Sequence, residues 1–136
     1  MNSAIYVKET GKLTVYGASI QGSGNTTSTD DSSFYDLNAA VLAGSSSTIH
    51  LASSTVASSG TGANGVFSTG GGTITVQGGL VKTSRQDSAG IYSTGTIIMT
   101  DTTFISSGAE AAVLEGGNSI TLNHDSLTST KADKGG

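Results

Sequence analysis

Along the chain, a small residue followed by two apolar ones recurs five times, as Ala4-Ile5-Tyr6, Ala40-Val41-Leu42, Gly65-Val66-Phe67, Gly90-Ile91-Tyr92 and Ala112-Val113-Leu114. These stations lie 36, 25, 25 and 22 residues apart, a spacing typical of repeat architectures. Each is followed, beyond a Gly- or Ser-rich turn such as Thr69-Gly70-Gly71-Gly72, by a second apolar segment: Leu13-Thr14-Val15, Ile49-His50-Leu51, Ile74-Thr75-Val76, Ile97-Ile98-Met99 and Ile120-Thr121-Leu122. Their period of two marks strands with one buried face. Five positions further on comes another apolar residue in every repeat: Val15 to Ile20, Leu51 to Val56, Val76 to Val81, Met99 to Phe104 and Leu122 to Leu127. No segment carries the 3.6-residue spacing of a helix.

The pattern predicts repeats of three short strands, two turns and a more variable loop. One such unit cannot bury its apolar face alone. Stacked units can, with each strand pairing in parallel with its equivalent one repeat later and the columns Ile5/Val41/Val66/Ile91/Val113 and Val15/Leu51/Val76/Met99/Leu122 sharing one core. The expected fold is all-β, a right-handed parallel β-helix of about five three-strand coils. One domain spans 1–136, with coils starting near 4, 40, 65, 90 and 112 and a surface insertion at 21–38.

Composition narrows the function classes. The chain holds 22 Ser, 20 Thr and 20 Gly, a bias that by itself suggests disorder, yet 35% of residues are hydrophobic and only 12% charged, which favours a folded chain. Mean hydropathy is −0.01. With no cysteine, disulfides, thiolate nucleophiles and Cys-ligated metals are excluded. A net charge of −4 with six Lys and Arg spread thinly argues against nucleic-acid partners, which need a basic patch. No apolar run approaches the ~20 residues of a membrane span. The stretch Met1-Asn2-Ser3-Ala4 lacks the basic and apolar regions of a signal peptide, so any export signal is expected outside this sequence.

The phrases Gly90-Ile91-Tyr92-Ser93-Thr94-Gly95, Gly72-Thr73-Ile74-Thr75-Val76 and Thr103-Phe104-Ile105-Ser106-Ser107-Gly108 resemble coils of right-handed β-helix domains in the pectin-lyase-like superfamily, especially those of large bacterial surface and adhesin-like proteins. The resemblance covers essentially the whole chain. It implies the fold and an extracellular or cell-surface location. It does not single out one activity, because this scaffold carries lyases, glycosidases, adhesins and phage tailspikes, and none of the superfamily's catalytic motifs has a convincing match.

Candidate binding residues fall in two places. The insertion carries Asp30, Asp31, Phe34, Tyr35 and Asp36, aromatics beside carboxylates that suit a sugar, although the spacing of calcium loops is absent and no metal or cofactor is expected. Next to the inward column runs Tyr6, Leu42, Phe67, Tyr92 and Leu114, which strand alternation turns outward as a stripe suited to pyranose stacking or a protein interface. For catalysis the best cluster is Asp101, His124 and Asp125. Aligning Met99 with Leu122 sets Asp101 level with His124 in adjacent coils, and Asp101 with Asp125 nominally supplies the two carboxyls of a glycosidase. Asp and His are also ordinary turn residues. A lyase base is not legible, since the sole arginine, Arg85, has only Asp87 nearby. A threonine ice face requires regular Thr-x-Thr rungs, and the outward positions of the second strand supply only one, Thr73 and Thr75.

The tail from Thr130 to Gly136 aligns with the segment from Ser84 to Gly90 that leads into a new coil, and neither end carries a recognisable cap. Self-association through the end coils is therefore expected. The leading functional expectation is a non-enzymatic structural and binding module that contacts a polysaccharide or cell-surface glycan. A carbohydrate-active enzyme comes second and an ice-binding solenoid third.

Overall fold

The computed structural model describes residues 3–26, 38–116 and 118–130, and among them are thirteen β-strands and no helix. The first rung consists of β1 (Ile5–Val7), β2 (Lys12–Tyr16) and β3 (Ser19–Gly22), and the second of β4 (Ala39–Ala43) and β5 (Thr48–Ser58). The third holds β6 (Asn64–Ser68) and β7 (Thr73–Thr83). The fourth holds β8 (Ile91–Ser93), β9 (Thr96–Thr100) and β10 (Thr103–Ser106); the fifth holds β11 (Ala112–Leu114), β12 (Ser119–Asn123) and β13 (Ser126–Ser129).

Each strand pairs in parallel with its equivalent one rung away. One sheet runs β1-β4-β6-β8-β11, and the other carries two ladders that share β5 and β7. The chain is thus a parallel β-solenoid of about four turns.

Rungs two and three depart from the expected three strands. There the second and third strands run together into single 11-residue strands, β5 and β7. Left-handed residues bend each without breaking its ladder: Ser53 at φ 47° in β5, and Gly78 at φ 66° followed by Gly79 at φ 96° in β7. The same column holds Gly17, Asp101 and His124, all with φ between 53° and 63°. A column of left-handed residues turns the chain at one corner of every rung.

The register explains the core. Val15, Leu51, Val76, Met99 and Leu122 align, as do Ile20, Val56, Val81, Phe104 and Leu127. Opposite them stand Val41, Val66 and Ile91, and every member of these columns except Val15, Leu122 and Leu127 is buried in one cluster. The fifth rung corrects the expected alignment by one residue. Ala112, not Val113, stands beside Ile91, so Val113 stands beside Tyr92 and Leu114 beside Ser93. With a side-chain period of two, a one-residue shift exchanges the faces. Ala112 accordingly packs against the main core and Val113 against a second, smaller cluster.

That second cluster overturns the outward stripe. Strands β4, β6 and β8 are buried at every position, so Leu42 and Phe67 are not exposed and Tyr92 is only 5% exposed. They pack with Ala39 and Ala89, and the rings of Phe67 and Tyr92 lie 4.7 Å apart at 50°, a favourable tilted geometry. Only the ends of the expected stripe, Tyr6 and Leu114, are exposed.

Buried hydroxyls satisfy the turns. Ser58 donates to the Ala63 carbonyl at 2.7 Å and Ser106 to that of Ala109 at 2.9 Å. Ser88 donates to Gly60 O at 2.8 Å and accepts from Ala63 N at 3.1 Å. The high serine content thus closes loops that would otherwise bury unpaired backbone groups.

Candidate functional site

Beside the second cluster, the outer surface of rungs three to five forms a groove of about 490 Å³. Its apolar part is the edge of Tyr92 with Ala89, Ala109, Ala112 and Val113; its polar part is Asn64, Asp87, Glu110 and Glu115. The stacking of rungs assembles these residues. Asn64 opens β6, Asp87 and Ala89 precede β8, and Glu110 and Glu115 flank β11. The Asn64 amide oxygen accepts from Ala89 N at 2.9 Å, tying two rungs together beneath the groove. Three carboxylates and no Lys or Arg line it, so the groove repels anions and offers strong acceptors to hydroxyl or ammonium donors. Tyr92 is too covered to serve as a stacking platform, and contributes an apolar wall instead.

A second groove of about 510 Å³ is lined by Gln21, Ser23, Ser58, Ser59, Ser84 and Lys82 among others. Backbone bonds from Ser59 N to Gly22 O, Ser84 N to Ser58 O, Ser107 N to Thr83 O and Thr130 N to Ser106 O align Ser23, Ser59, Ser84, Ser107 and Thr130. They form an exposed hydroxyl column.

The structure does bring Asp101, His124 and Asp125 together, at the corner of the last two rungs. His124 Nδ1 lies 3.8 Å from Asp101 Oδ1, with the side chains 89% and 67% exposed. Asp125 is engaged with the backbone: its Oδ1 accepts from Thr102 N at 2.8 Å and its Oδ2 from Asn123 N at 2.7 Å. Three rungs earlier in the same column, Ser54 Oγ plays the same part, accepting from Ala18 N at 3.1 Å. The trio therefore has the geometry of a recurring turn, and the largely exposed His124–Asp101 contact is screened by solvent.

Phe34, Tyr35 and Asp36, like Asp30 and Asp31, lie outside the described residues. Of the outer stripe, Phe67 is buried, Tyr92 borders the acidic groove and Tyr6 is 40% exposed at the first rung. The second strand's outward columns have the expected register: Thr48, Thr73 and Thr96 align in one column, but Thr75 in the other stands beside His50 and Ile98, so the Thr-x-Thr rung does not repeat along that face. Among the described residues no group of three metal-ligating side chains converges, and no helix is long and apolar enough to cross a membrane.

Reading the sequence for motifs missed the acidic groove, because Asp87, Glu110 and Glu115 belong to different repeats. Aligning the columns gives the signal, since Asn64, Ala89 and Glu110 occupy one column at the entry to the first strand of successive rungs. The chain matches no protein-family model, no curated protein and no solved structure, so its own geometry carries the functional reading.

Proposed function

We propose that the chain is a non-catalytic structural and binding segment of a secreted or surface-displayed bacterial protein, built from coils of the pectin-lyase-like, right-handed β-helix type. The solenoid is its rigid rod, and the groove beside Tyr92 is its adhesin-like contact with a glycan. The observation that carries this reading is the lining of that groove: three carboxylates and Asn64 facing an apolar wall of Tyr92, Ala112 and Val113. Sugars present the complementary surface, hydroxyl donors beside an apolar C–H face. The absence of cations in the lining selects neutral or amino sugars over uronic acids. The commitment of Asp125 to two backbone N–H groups favours the binding role over an enzymatic one.

The test is a panel of neutral, amino and uronic-acid oligosaccharides, with binding read by calorimetry and turnover by product release. Expected is binding of neutral or amino sugars, weakened at least about threefold in Glu110→Gln, with no product after long incubation. Polysaccharide turnover that is lost in Asp101→Asn would put the enzymatic reading first.

A further inference from the structure

The two ends of the solenoid carry matched surfaces. Among the described residues, at the first rung β1 pairs only with β4, and β2 and β3 only with β5; at the fifth, β11 pairs only with β8, β12 with β9 and β13 with β10. Among the described residues, each end therefore presents a row of backbone N–H and C=O groups in parallel-strand geometry without a strand partner. The fifth rung also opens the core. Leu114 is 48% exposed, Leu122 40% and Leu127 36%, whereas Met99 and Phe104, one rung inward of the last two, are fully buried.

The register of the interior steps defines how another rung would lie on this end. Carried one step further, it sets Val7 on Leu114, Val15 on Leu122 and Ile20 on Leu127, apolar on apolar in each column. One column is charged at both ends. Backbone bonds from Gly44 N to Val7 O, Thr69 N to Ala43 O, Thr94 N to Ser68 O and Glu115 N to Ser93 O place Lys8, Gly44, Thr69, Thr94 and Glu115 in a single line. Side chains in that line reach each other across one rung, since Thr94 Oγ1 donates to Thr69 Oγ1 at 2.8 Å. A first rung laid on a fifth rung thus sets an ammonium on a carboxylate about one strand spacing, ~4.8 Å, away.

We infer that a second copy of this chain docks its first rung on the fifth rung of its neighbour, in the interior register, with Lys8 of one copy over Glu115 of the other. The inference stands on the end rungs; Glu115 also lines the acidic groove, so association is read without added sugar. Within one copy Lys8 Nζ lies 3.4 Å from Glu9 Oε1, with both side chains largely exposed, so the lysine is free to reorient at small cost. Two like ends meeting about a two-fold axis would pair their edges antiparallel and bring Lys8 toward Lys8, or Glu115 toward Glu115. Unlike ends are therefore favoured. A contact between unlike ends leaves one end of each kind open, so assembly proceeds to linear filaments rather than a closed dimer.

Sedimentation and light scattering on the 136-residue chain decide the matter. The wild type is expected to gain mass with concentration and lose it with added salt. Lys8→Glu and Glu115→Lys are each expected to raise the concentration for half-association at least about threefold, and the double variant Lys8→Glu/Glu115→Lys to return toward wild type. Thermal unfolding of each variant in dilute solution separates loss of contact from loss of fold. A monomeric mass at all concentrations overturns the proposal. So does a double variant that associates no better than the singles, because the register would then be wrong.

Discussion

Replacing Gly79 by alanine, with Gly78→Asn as its internal control, tests the corner column that turns every rung. The two glycines are adjacent, yet their surroundings differ. A Cβ on Gly78 meets nothing within 4 Å, and its φ of 66° is the conformation that Ser53, Asp101 and His124 adopt in the same column. A Cβ on Gly79 runs into the Ser54 carbonyl oxygen and stands 2.9 Å from the Ser54 nitrogen, at a φ of 96°. Relieving that overlap means shifting β7 off β5 at the centre of the solenoid. Backbone strain of about 1–3 kcal/mol and overpacking of about 1–3 kcal/mol combine to roughly 2–6 kcal/mol, a large part of a total stability of about 5–15 kcal/mol. At roughly 3–4 °C per kcal/mol for a chain of this size, Gly79→Ala is expected to melt about 6–24 °C below wild type. Gly78→Asn sets the small cost of a left-handed asparagine against about 0.4–1 kcal/mol gained by restricting the unfolded chain, so its melting temperature stays within about 3 °C. Thermal unfolding followed by circular dichroism, at concentrations too low for association, measures both. Equal melting of Gly79→Ala and wild type, or equal damage from the two substitutions, would refute the assigned corner geometry.

Two further outcomes follow from the same packing. Asp125→Ala removes the acceptor for Thr102 N and Asn123 N and is expected to lower stability by about 1–2 kcal/mol, seen as a lower denaturant midpoint, with Asp125→Asn intermediate; an unchanged midpoint in both would mean the carboxylate does not hold the turn. Val76→Asp places a charge at a 3% exposed site between Leu51 and Met99 and is expected to abolish cooperative unfolding, because an unpaired buried charge costs several kcal/mol, whereas Gln77→Asp on the exposed face melts with the wild type.

The core was legible where apolar spacing is rigid and illegible where loops intervene. The five-residue interval from Leu51 to Val56 and its equivalents spans one corner of fixed geometry, so both columns it joins emerge from the sequence in all five rungs. Between the third strand of one rung and the first of the next, loop length varies, and Ala111-Ala112 before Val113 offers two small residues where one was expected. The sequence has no means of choosing between them, and the structure seats Ala112. The buried Phe67 was misjudged for a different reason. Alternation implies one wet face, but a parallel strand covered on both sides reads as a continuous apolar run, and Ala39-Ala40-Val41-Leu42-Ala43 is such a run. The Asp101–His124 juxtaposition was legible from alignment, while its chemistry was not, because the two backbone N–H groups held by Asp125 appear only when the turns are stacked.

The repeating register also creates an ambiguity that the folding chain must resolve. Ile49, Ile74 and Ile97 occupy one column, and Leu51, Val76 and Met99 another, so a strand that skips its true neighbour and zips onto the next one finds almost the same aliphatic pattern. Loop closure does little to prevent this, since its cost grows only with the logarithm of length, about 0.6 kcal/mol per doubling. Misassembly of this kind is characteristic of repeat proteins. What breaks the degeneracy is the pair formed by Phe67 and Tyr92, adjacent in one column with aliphatic Leu42 and Val113 on either side. Joining rung two directly to rung four, or rung three to rung five, separates the two rings while leaving most of the main core matched. The aromatic pair thus acts as a registration mark, telling otherwise interchangeable rungs which neighbour is theirs.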